Sequence, residues 1–333
     1  MKKVVLGFSG GVDSAVCSVL LKKQGAEVIG VYLDNSGKAE LEAAVSGAEA
    51  AGIPLEVIDV KADLEEHVCR PFAESYLRGE TPNPCILCNP TVKFRHLLSA
   101  ADRLGADFIA TGHYARAENG FLYKGHPEND QSYLLCRITR QQLSRLLLPL
   151  GTYPKREVRA MAEEFGLPVA HKPDSMEICF IPDKNYIRWL SERTALPAPG
   201  ALMLHGTEIG RHNGIHCYTV GQRYPGLVDG RKIYISCIRA DENIIELAWW
   251  EELFTCEVNA VRFNALCDLP EEFTGSVRVR HTKWENPPCT AHLAADGSVT
   301  IRCEEPVRAP AAGQSAVIYR GEQVLGGGFI VHK

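Results

Sequence analysis

Short apolar runs alternate with longer amphipathic stretches over the first 115 residues of the chain. The apolar runs are brief, are bounded by turn residues and predict β-strands at residues 4–8, 28–33, 55–60 and 108–111. Helical spacing of hydrophobic positions predicts helices at residues 12–24, 39–51, 64–77 and 91–104. Helix C-termini are expected at Gly25, Gly52 and Gly105. This alternation predicts an α/β fold, with a parallel sheet that helices cover on both faces.

The hydrophobic pattern changes in the second half of the chain. A further amphipathic stretch predicts a helix at 152–167, and the region up to residue 250 mixes a helix near 186–194 with short strands. Beyond it, regularly spaced β runs predict a small antiparallel barrel, with strands at residues 256–261, 275–281, 290–293, 299–303, 315–319 and 323–330. We therefore predict three domains, namely a catalytic domain at 1–183, a central linker domain at 184–250 and a β-barrel domain at 251–333.

The composition is that of a globular enzyme, since 45% of the 333 residues are hydrophobic and 23% are charged. The apolar run near the N-terminus stops after residue 8, so it does not form a signal peptide. No stretch approaches the roughly 20 apolar residues that span a bilayer. Without such signals, the 12 cysteines are expected to be reduced thiols. The sequence therefore predicts a cytoplasmic protein that is not bound to a membrane.

The net charge of −5 gives no sign of nucleic-acid binding by itself, although a basic footprint can be local. Arg278 and Arg280 lie two positions apart on a predicted strand, so we expect their side chains to share one face. That face is a candidate for phosphate contacts, and a solvated surface is the alternative.

The strongest chemical motif is the segment 9–14 (Ser-Gly-Gly-Val-Asp-Ser), between a predicted strand and a predicted helix. Its glycines let backbone N–H groups converge, and the helix N-terminus adds partial positive charge, which together favour phosphate binding. The hydroxyls of Ser9 and Ser14 can donate hydrogen bonds, and Asp13 can hold Mg²⁺ beside the phosphates. The motif lacks the features of a P-loop and of a dinucleotide fingerprint. A tight glycine turn before a helix is the alternative interpretation.

Cys85 and Cys88 form a Cys-x-x-Cys motif that Pro82 and Pro84 stiffen, which predicts thiols on a constrained loop. This spacing fits a redox pair, half of a zinc site or part of an iron–sulfur site. A second Cys-x-x-Cys motif is absent from the sequence, which disfavours a zinc ribbon with four thiolates.

A third motif occupies residues 172–181 and contains Cys179. A cysteine beside Ile178 and Phe180 is usually a core residue, but the preceding polar segment is typical of a surface loop. Sequence spacing alone does not bring Cys179 to Cys88.

Segment 9–14 resembles the PP-loop of ATP pyrophosphatases, which cleave ATP to AMP and pyrophosphate. Together, the three motifs resemble the tRNA-uridine 2-sulfurtransferase family, also called the tRNA-specific 2-thiouridylases. Further segments extend the resemblance over nearly the whole chain, at residues 110–114, 130–133, 218–223, 277–281 and 326–328. The resemblance implies a PP-loop domain, a small mixed central domain and a C-terminal antiparallel β-barrel.

The resemblance also implies a role for each matched residue. Cys88 would be the nucleophile, and Cys179 would carry a persulfide. ATP would be bound by Gly7, Phe8, Ser9, Gly10, Gly11, Val12, Asp13, Ser14, Leu33 and Gly112. The target base would meet Asn83, Pro84 and Cys85. The tRNA would be contacted by His113, Asn129, Asp130, Gln131, Arg278 and Gln314.

The implied reaction is ATP-dependent 2-thiolation of a wobble uridine, with Mg²⁺ on the nucleotide. The uridine oxygen is adenylated, sulfur from the Cys179 persulfide replaces it, and a disulfide between Cys88 and Cys179 remains. The partners would be tRNA and a persulfide donor, either a cysteine desulfurase or a sulfur relay protein. We expect a nearby basic group or helix end to lower the pKa of the thiols. Two alternatives are another PP-loop ligase or amidotransferase, and a non-enzymatic RNA-binding sulfur relay protein.

The sequence departs from the family pattern at two places. Cys85 stands where the family usually has aspartate, and the segment after Leu33 is far shorter than the usual insertion. A third thiol allows a second hypothesis, in which Cys85, Cys88 and Cys179 hold a four-iron cluster with one iron open to sulfide. We rank this hypothesis below the persulfide route.

Overall fold

The computed structural model describes residues 2–35, 38–172, 178–281 and 286–332, without the side chain of Lys38. Two predicted features lie partly outside the described residues, namely the end of the short segment after Leu33 and residues 173–177 of the third motif. Strands and helices are labelled below in chain order.

The helices agree with the predicted pattern in the first half of the chain, within a few residues at their ends. The α-helices are α1 Val12–Lys23, α2 Lys38–Ala51, α3 Lys61–Leu64, α4 Arg70–Leu77, α5 Pro84–Cys88, α6 Phe94–Leu104, α7 Arg140–Ser144, α8 Lys155–Glu164 and α9 Tyr186–Ser191. Two π-helical turns occupy Glu65–Cys69 and Asn89–Lys93, and 3₁₀-helical turns occupy Ser132–Leu135, Ile215–Cys217 and Trp250–Leu253. The predicted helix at 64–77 is therefore divided by a π-helical turn.

The strands confirm each β run that the pattern predicts, and several short strands were not predicted. In chain order they are β1 Lys3–Gly7, β2 Glu27–Asp34, β3 Leu55–Asp59, β4 Phe108–Ala110, β5 Ala115–Glu118, β6 Phe121–Lys124, β7 Leu146–Leu147, β8 Gly200–Leu204, β9 Thr207–His212, β10 Tyr234–Arg239, β11 Ile244–Ala248, β12 Phe254–Ala265, β13 Glu272–Arg278, β14 Pro288–Leu293, β15 Val299–Arg308, β16 Ser315–Arg320 and β17 Gln323–Ile330.

The described residues form two compact units, and the first consists of Met1–Val68, Cys85–Pro182 and Glu322–Leu325. Its sheet has the order β3-β2-β1-β4-β7, and all of its strand pairs are parallel. Val4, Leu6 and Phe8 pack in one core with α1, α2 and α8. A Cβ on Gly7 would lie 3.1 Å from Leu97 of α6, so the alternate residues of β1 face another helix. The predicted parallel sheet with helices on both faces is confirmed.

A β-hairpin of β5 and β6 was not predicted in this unit. Its turn contains Asn119 and Gly120, whose φ angles are 53° and 80°. Positive φ at both central residues is typical of a type I′ turn, and Asn-Gly is its strongest sequence signal. The signal was therefore present, but the strands are too short for an alternating pattern to stand out.

The second unit consists of Cys69–Pro84, Asp183–Gly321 and Gly326–Lys333. It contains a mixed sheet of order β10-β11-β8-β9, in which β11 and β8 are parallel. Apart from the first three residues of β17, it also contains the predicted barrel, in which β12-β15-β14-β13-β16-β17 close through pairing of β12 with β17. The mixed sheet and the antiparallel barrel are confirmed, whereas the domain boundaries near 183 and 250 stay predictions.

The expectation that Arg278 and Arg280 share a strand face is wrong, because β13 ends at Arg278. The Arg280 guanidinium instead donates hydrogen bonds to the backbone oxygens of Val220 and Ala309. Arg280 therefore links segments of the second unit, while Arg278 lies over the Tyr319 ring at 5.2 Å.

Candidate active site

The glycine loop follows β1 and leads into α1. Gly10 has a φ of +68°, and a Cβ there would lie 2.7 Å from the Ala44 Cα, so both backbone and packing require glycine. Gly11 is the N-cap of α1, and no side chain caps this helix end. Uncapped N–H groups at a helix N-terminus bind phosphate oxygens. The loop therefore has the backbone geometry of a phosphate site.

The hydroxyls of the two loop serines lie close to each other and to the loop backbone. The Ser14 hydroxyl donates to the Gly11 oxygen at 3.1 Å, and the hydroxyls of Ser9 and Ser14 lie 3.4 Å apart. Phe8 and Val12 are buried in the core, so a ligand would meet their backbone and not their side chains.

Asp13 is held by two side chains that the sequence did not identify. The Lys155 ammonium group lies 2.7 Å and 2.8 Å from the two carboxylate oxygens of Asp13. The Tyr114 hydroxyl donates to one of these oxygens at 2.6 Å. A second ammonium group, that of Lys172, donates to the Gly10 oxygen at 3.3 Å. Two lysines therefore reach the glycine loop from later parts of the chain.

Leu33 and Gly112 lie at the edge of the sheet where β1 ends. Leu33 is the penultimate residue of β2, and Gly112 follows β4, and both strands run parallel to β1. A Cβ on Gly112 would lie 2.9 Å from the Asp13 Cβ. Gly112 therefore allows β4 and the start of α1 to approach, and both residues lie where open α/β sheets bind ligands.

Cys85 and Cys88 lie on the short helix α5, so the predicted constrained loop is wrong. Pro84 begins this helix, a position where the missing proline N–H costs nothing. Pro90 cannot donate to the preceding turn, which explains the change to a π-helical turn at Asn89–Lys93. Cys85 is exposed and Cys88 is half-buried, and residues three apart share one face of a helix.

Cys179 lies close enough to Cys88 to influence its ionisation, although the two are far apart in the sequence. The Asn35 side-chain amide donates to the Cys179 sulfur at 3.3 Å. Asn35 follows β2 directly, so the short segment after Leu33 places an amide beside this thiol. None of the three thiols forms a disulfide.

The expectation of a lowered thiol pKa is wrong for both predicted catalytic cysteines. Burial raises the pKa of Cys88 to about 11, and the neighbouring thiols Cys179 and Cys85 add to this rise. Burial and Cys85 likewise raise the pKa of Cys179, since its surroundings desolvate the thiol although the residue as a whole is exposed. The Lys93 ammonium group opposes both shifts, but burial outweighs it.

His113 lies between Lys93 and Thr111. The Nε2 atom of His113 is 3.5 Å from the Lys93 ammonium group, and its Nδ1 atom is 2.7 Å from the Thr111 hydroxyl. Because an ammonium group only donates, Nε2 accepts and Nδ1 carries the proton. Burial and the Lys93 charge hold the pKa of His113 well below its usual range, so the ring is neutral at pH 7.

The predicted tRNA-contacting residues 129–131 brace the same region. The Gln131 side-chain oxygen accepts from the Tyr114 N–H at 3.0 Å, and the Asn129 side-chain oxygen accepts from the Lys155 N–H at 3.2 Å. Asp130 accepts from the Ser132 hydroxyl at 3.0 Å and thereby fixes the turn. These residues therefore adjoin the two side chains that hold Asp13.

The remaining predicted residues lie in the second unit. The Gln314 amide donates to the Thr81 oxygen at 2.6 Å, two residues before Asn83 in the sequence. The Arg278 Nε atom donates to the Asn286 side-chain oxygen at 3.3 Å. The structure thus places Gln314 beside the segment that leads to Asn83 and Pro84.

The side-chain positions do not complete a metal site at Asp13 or at the three thiols, the two places where one was predicted. Both oxygens of Asp13 are engaged by Lys155, so Asp13 fits Mg²⁺ only after Lys155 has moved. Within the described residues, no group of three or more His, Cys, Asp or Glu side chains is arranged to hold a metal ion. The three thiols therefore do not fit a cluster in this arrangement.

Comparison with known proteins agrees with this architecture. The sequence profile described as tRNA methyl transferase HUP domain matches residues 2–183, and that described as aminomethyltransferase beta-barrel domain matches residues 255–330. The fold and site thus define a HUP-domain protein with paired thiols and a C-terminal barrel.

Curated relatives match the chain over its whole length. It is 40% identical to the tRNA-specific 2-thiouridylase MnmA 1 of Caldanaerobacter subterraneus subsp. tengcongensis, over 99% of this chain and 98% of the relative. It is also 40% identical to the tRNA-specific 2-thiouridylase MnmA of Pelotomaculum thermopropionicum, over 98% of this chain and 97% of the relative. The chain therefore belongs to the tRNA-specific 2-thiouridylase family.

A solved 4-thiouridine synthetase–RNA complex with bound ATP is similar at a TM-score of 0.37 and 20% identity, covering 57% of this chain and 50% of the other. A likeness at this level carries no argument about the reaction. None of the helices in residues 2–35, 38–172, 178–281 and 286–332 has the length and hydropathy needed to cross a membrane.

Proposed function

We propose that this protein thiolates carbon 2 of a tRNA wobble uridine in an ATP-dependent reaction. The observation that carries the proposal is the presence, in one unit, of a phosphate-binding glycine loop and of two thiols, Cys88 and Cys179, that are close enough to interact. Adenylation needs the first feature, and sulfur transfer needs the second. The named activity of the curated relatives supports the same reaction.

The first half-reaction uses the glycine loop. The N–H groups at the start of α1 hold phosphate oxygens, and the uridine oxygen on carbon 2 attacks the α-phosphate. Pyrophosphate leaves, and the oxygen becomes part of an AMP leaving group. Asp13 would hold Mg²⁺, which neutralises phosphate charge when it is bound.

The second half-reaction uses the thiols. The outer sulfur of a persulfide on Cys179 attacks carbon 2, and AMP leaves. The Cys88 thiolate then attacks the Cys179 sulfur, which breaks the sulfur–sulfur bond and releases 2-thiouridine. A Cys88–Cys179 disulfide remains, and a thiol reductant must reduce it before the next turnover. The donor of the persulfide would be a cysteine desulfurase or a relay protein, and a cytoplasmic location stays a prediction from the sequence.

The test measures the nucleotide and tRNA products together. With ATP, cysteine, a cysteine desulfurase and an unmodified tRNA transcript, we expect AMP, pyrophosphate and 2-thiouridine in equal amounts. Cys88→Ser and Cys179→Ser should keep tRNA-dependent release of pyrophosphate and lose 2-thiouridine. Products of ADP and phosphate would contradict the proposal. Thiolation without ATP would favour a sulfur relay protein, and pyrophosphate release without tRNA would favour another adenylating ligase.

The tRNA interface has a separate test on the barrel. If Arg278 contacts a phosphate, Arg278→Ala should reduce the salt dependence of tRNA binding by about one unit of slope. Arg302→Ala is the control, because Arg302 is an exposed arginine of the same barrel without a predicted contact. An unchanged slope for Arg278→Ala would mean that Arg278 does not contact a phosphate and is an ordinary surface residue.

The iron–sulfur hypothesis is tested on protein purified without oxygen. A cluster on Cys85, Cys88 and Cys179 would give broad visible absorbance and bound iron, which Cys85→Ser would remove. Within the described residues, the three thiols do not form a metal-binding group. Colourless, iron-free protein that still thiolates tRNA would dismiss this route.

A further inference from the structure

We propose that Lys155 binds the outer phosphates of the nucleotide, and that Asp13, together with the Tyr114 ring 5.5 Å away, holds its ammonium group at the glycine loop until the nucleotide enters. The inference rests on the proposed ATP-dependent function, and it adds a phosphate-binding residue to that site. It also assigns two successive partners to one ammonium group, first a carboxylate and then a phosphate.

The backbone of Lys155 is anchored, while its side chain reaches across to the loop. Lys155 is the first residue of α8, and its N–H donates to the Asn129 side-chain oxygen at 3.2 Å. Val158 and Ala162 of the same helix are buried in the core that α1 shares. The side chain therefore starts from a fixed position and ends at Asp13, near the N-terminus of α1.

The contacts that hold Lys155 can be exchanged. Its side chain is 23% exposed and that of Asp13 is 33% exposed, so water reaches the ion pair. Ion pairs that water reaches in this way are screened by the solvent and are only weakly stabilising. A triphosphate offers more negative charge than a single carboxylate, and Lys is a common point-charge ligand for phosphate. The ammonium group can therefore leave Asp13 for a phosphate oxygen without a change in the fold.

The charges at the loop also favour a polyanion. Asp13 contributes one negative charge, while Lys155 and Lys172 each contribute one positive charge, so these three side chains sum to +1. The N-terminus of α1 adds partial positive charge. Exchange of Lys155 to phosphate has a second effect, because it removes the ammonium group from both oxygens of Asp13, while the Tyr114 hydroxyl keeps its hydrogen bond to one of them. Asp13 then becomes available to Mg²⁺.

The experiment measures binding of ATP, pyrophosphate and AMP to the full chain by calorimetry, without tRNA. Lys155→Met should weaken ATP and pyrophosphate binding by about tenfold, the loss expected for one charged hydrogen bond. AMP binding should change by less than about twofold, since AMP lacks the outer phosphates. Arg156→Met is the matched control, because Arg156 is the next residue on α8 and pairs with Glu128 on the surface. It should leave the affinity for all three ligands unchanged.

A double variant separates phosphate binding from simple neutralisation of Asp13. Lys155→Met leaves the Asp13 carboxylate without its ammonium partner, and this alone could repel ATP or destabilise the fold. Asp13→Asn combined with Lys155→Met removes both charges and leaves the summed charge of the three side chains at +1, as in the wild type. If Lys155 contacts phosphate, the double variant binds ATP more weakly than Asp13→Asn alone, since both of these variants lack the carboxylate that would hold Mg²⁺. Recovery of wild-type ATP affinity in the double variant would overturn the inference.

The outcomes also separate this inference from the proposed function. Wild-type protein that binds ATP, with Lys155→Met binding it equally well, would overturn the inference alone. Wild-type protein that binds neither ATP nor pyrophosphate would overturn the proposed function and the inference together. If Lys155→Met lost equal affinity for ATP and for AMP, Lys155 would act by maintaining the conformation of the loop. That result would also overturn phosphate binding by Lys155.

Discussion

The Asp13 carboxylate is paired with a positively charged side chain, whereas the surroundings of Cys88 and Cys179 keep these two thiols uncharged. The Asp13 carboxylate has an ammonium group within 2.8 Å and a phenol hydroxyl at 2.6 Å. The two thiols have raised pKa values because burial outweighs the influence of Lys93. Both regions belong to the same unit, and they differ in the state of their charges.

The difference teaches how each region becomes active. At the glycine loop, charge exists before the ligand arrives, and binding exchanges one ionic partner for another. At the thiols, charge must be created, because only the thiolate is nucleophilic. We therefore expect substitutions near Asp13 to change nucleotide binding and pyrophosphate release. Substitutions near Lys93 should change the pH dependence of sulfur transfer.

The largest expected effect comes from Gly112→Ala. A Cβ would lie 2.9 Å from the Asp13 Cβ and would displace the carboxylate. Misplacement on this scale lowers catalytic rates by about a hundredfold, so pyrophosphate release should fall by that factor. Alkylation of Cys88 should not change. Gly210→Ala is the control, since a Cβ there meets only Leu202 at 3.8 Å, and loss of activity in the control would contradict the interpretation.

Lys93→Met should produce the next largest effect, on the thiols and on His113 but not on the glycine loop. Removal of the positive charge raises the pKa of Cys88 further and also raises the pKa of His113, because Lys93 lowers both. A rise of about one unit would slow Cys88 alkylation about tenfold at pH 8. Mass spectrometry of labelled peptides measures this rate, and NMR measures the His113 titration. Opposite shifts of the two pKa values would contradict a shared electrostatic cause.

In wild-type protein, Cys88 alkylation should rise about tenfold per pH unit from pH 7 and level off only near the pKa of about 11. A plateau below pH 9 would mean that the thiol is activated in the free protein. In that case the proposed contrast between the two regions would not hold.

Acid should destabilise the protein through His113. Its pKa in the folded state lies well below 6.5, so the unfolded chain binds the proton more readily. The resulting stability is complete above pH 6.5 and is lost as the pH falls through the folded pKa, by at most about 1.4 kcal/mol per unit. Denaturant unfolding at pH 5 and pH 7 should differ less for His113→Gln than for wild type. His171→Gln is the control, since His171 is exposed. An equal difference in all three proteins would exclude His113 as the cause.

The smallest expected effect is that of Asn35→Ala. Loss of the 3.3 Å hydrogen bond to the Cys179 sulfur should slow Cys179 alkylation about threefold. Cys88 alkylation provides the internal control and should be unchanged. Unchanged Cys179 reactivity would mean that the amide does not stabilise the thiolate.

Much of the fold was predictable because its signals are local. Gly25, Gly52 and Gly105 all have positive φ at the ends of helices, as their positions predicted. Helix α5 was not predicted, because five residues are too few for a 3.6-residue period to appear. The prediction that Arg278 and Arg280 share a strand face was also wrong, since the end of a strand depends on tertiary contacts.

The candidate site was predictable only in part. The motifs supplied the glycine loop, Cys88 and Cys179, but not the side chains that set their charge. Lys155 reaches Asp13 across 142 positions of sequence, and Asn35 reaches Cys179 across 144. Pairings at such separations follow from the packing of helices on the sheet, and periodicity carries no information about them. The direction of the thiol pKa shifts was missed for the same reason, because burial is a property of the folded chain.

The π-helical turn at Asn89–Lys93 makes this segment sensitive to chain length as well as to side-chain chemistry. A π-helical turn contains one residue more than the α-helical turn it replaces. Each helical residue advances by about 100° around the axis, so deleting one residue between Cys88 and Lys93 would rotate the lysine away from the thiol. Such a deletion would leave every reactive group in the chain. During divergence within the family, insertions and deletions should therefore be rarer here than substitutions at exposed positions of the same segment.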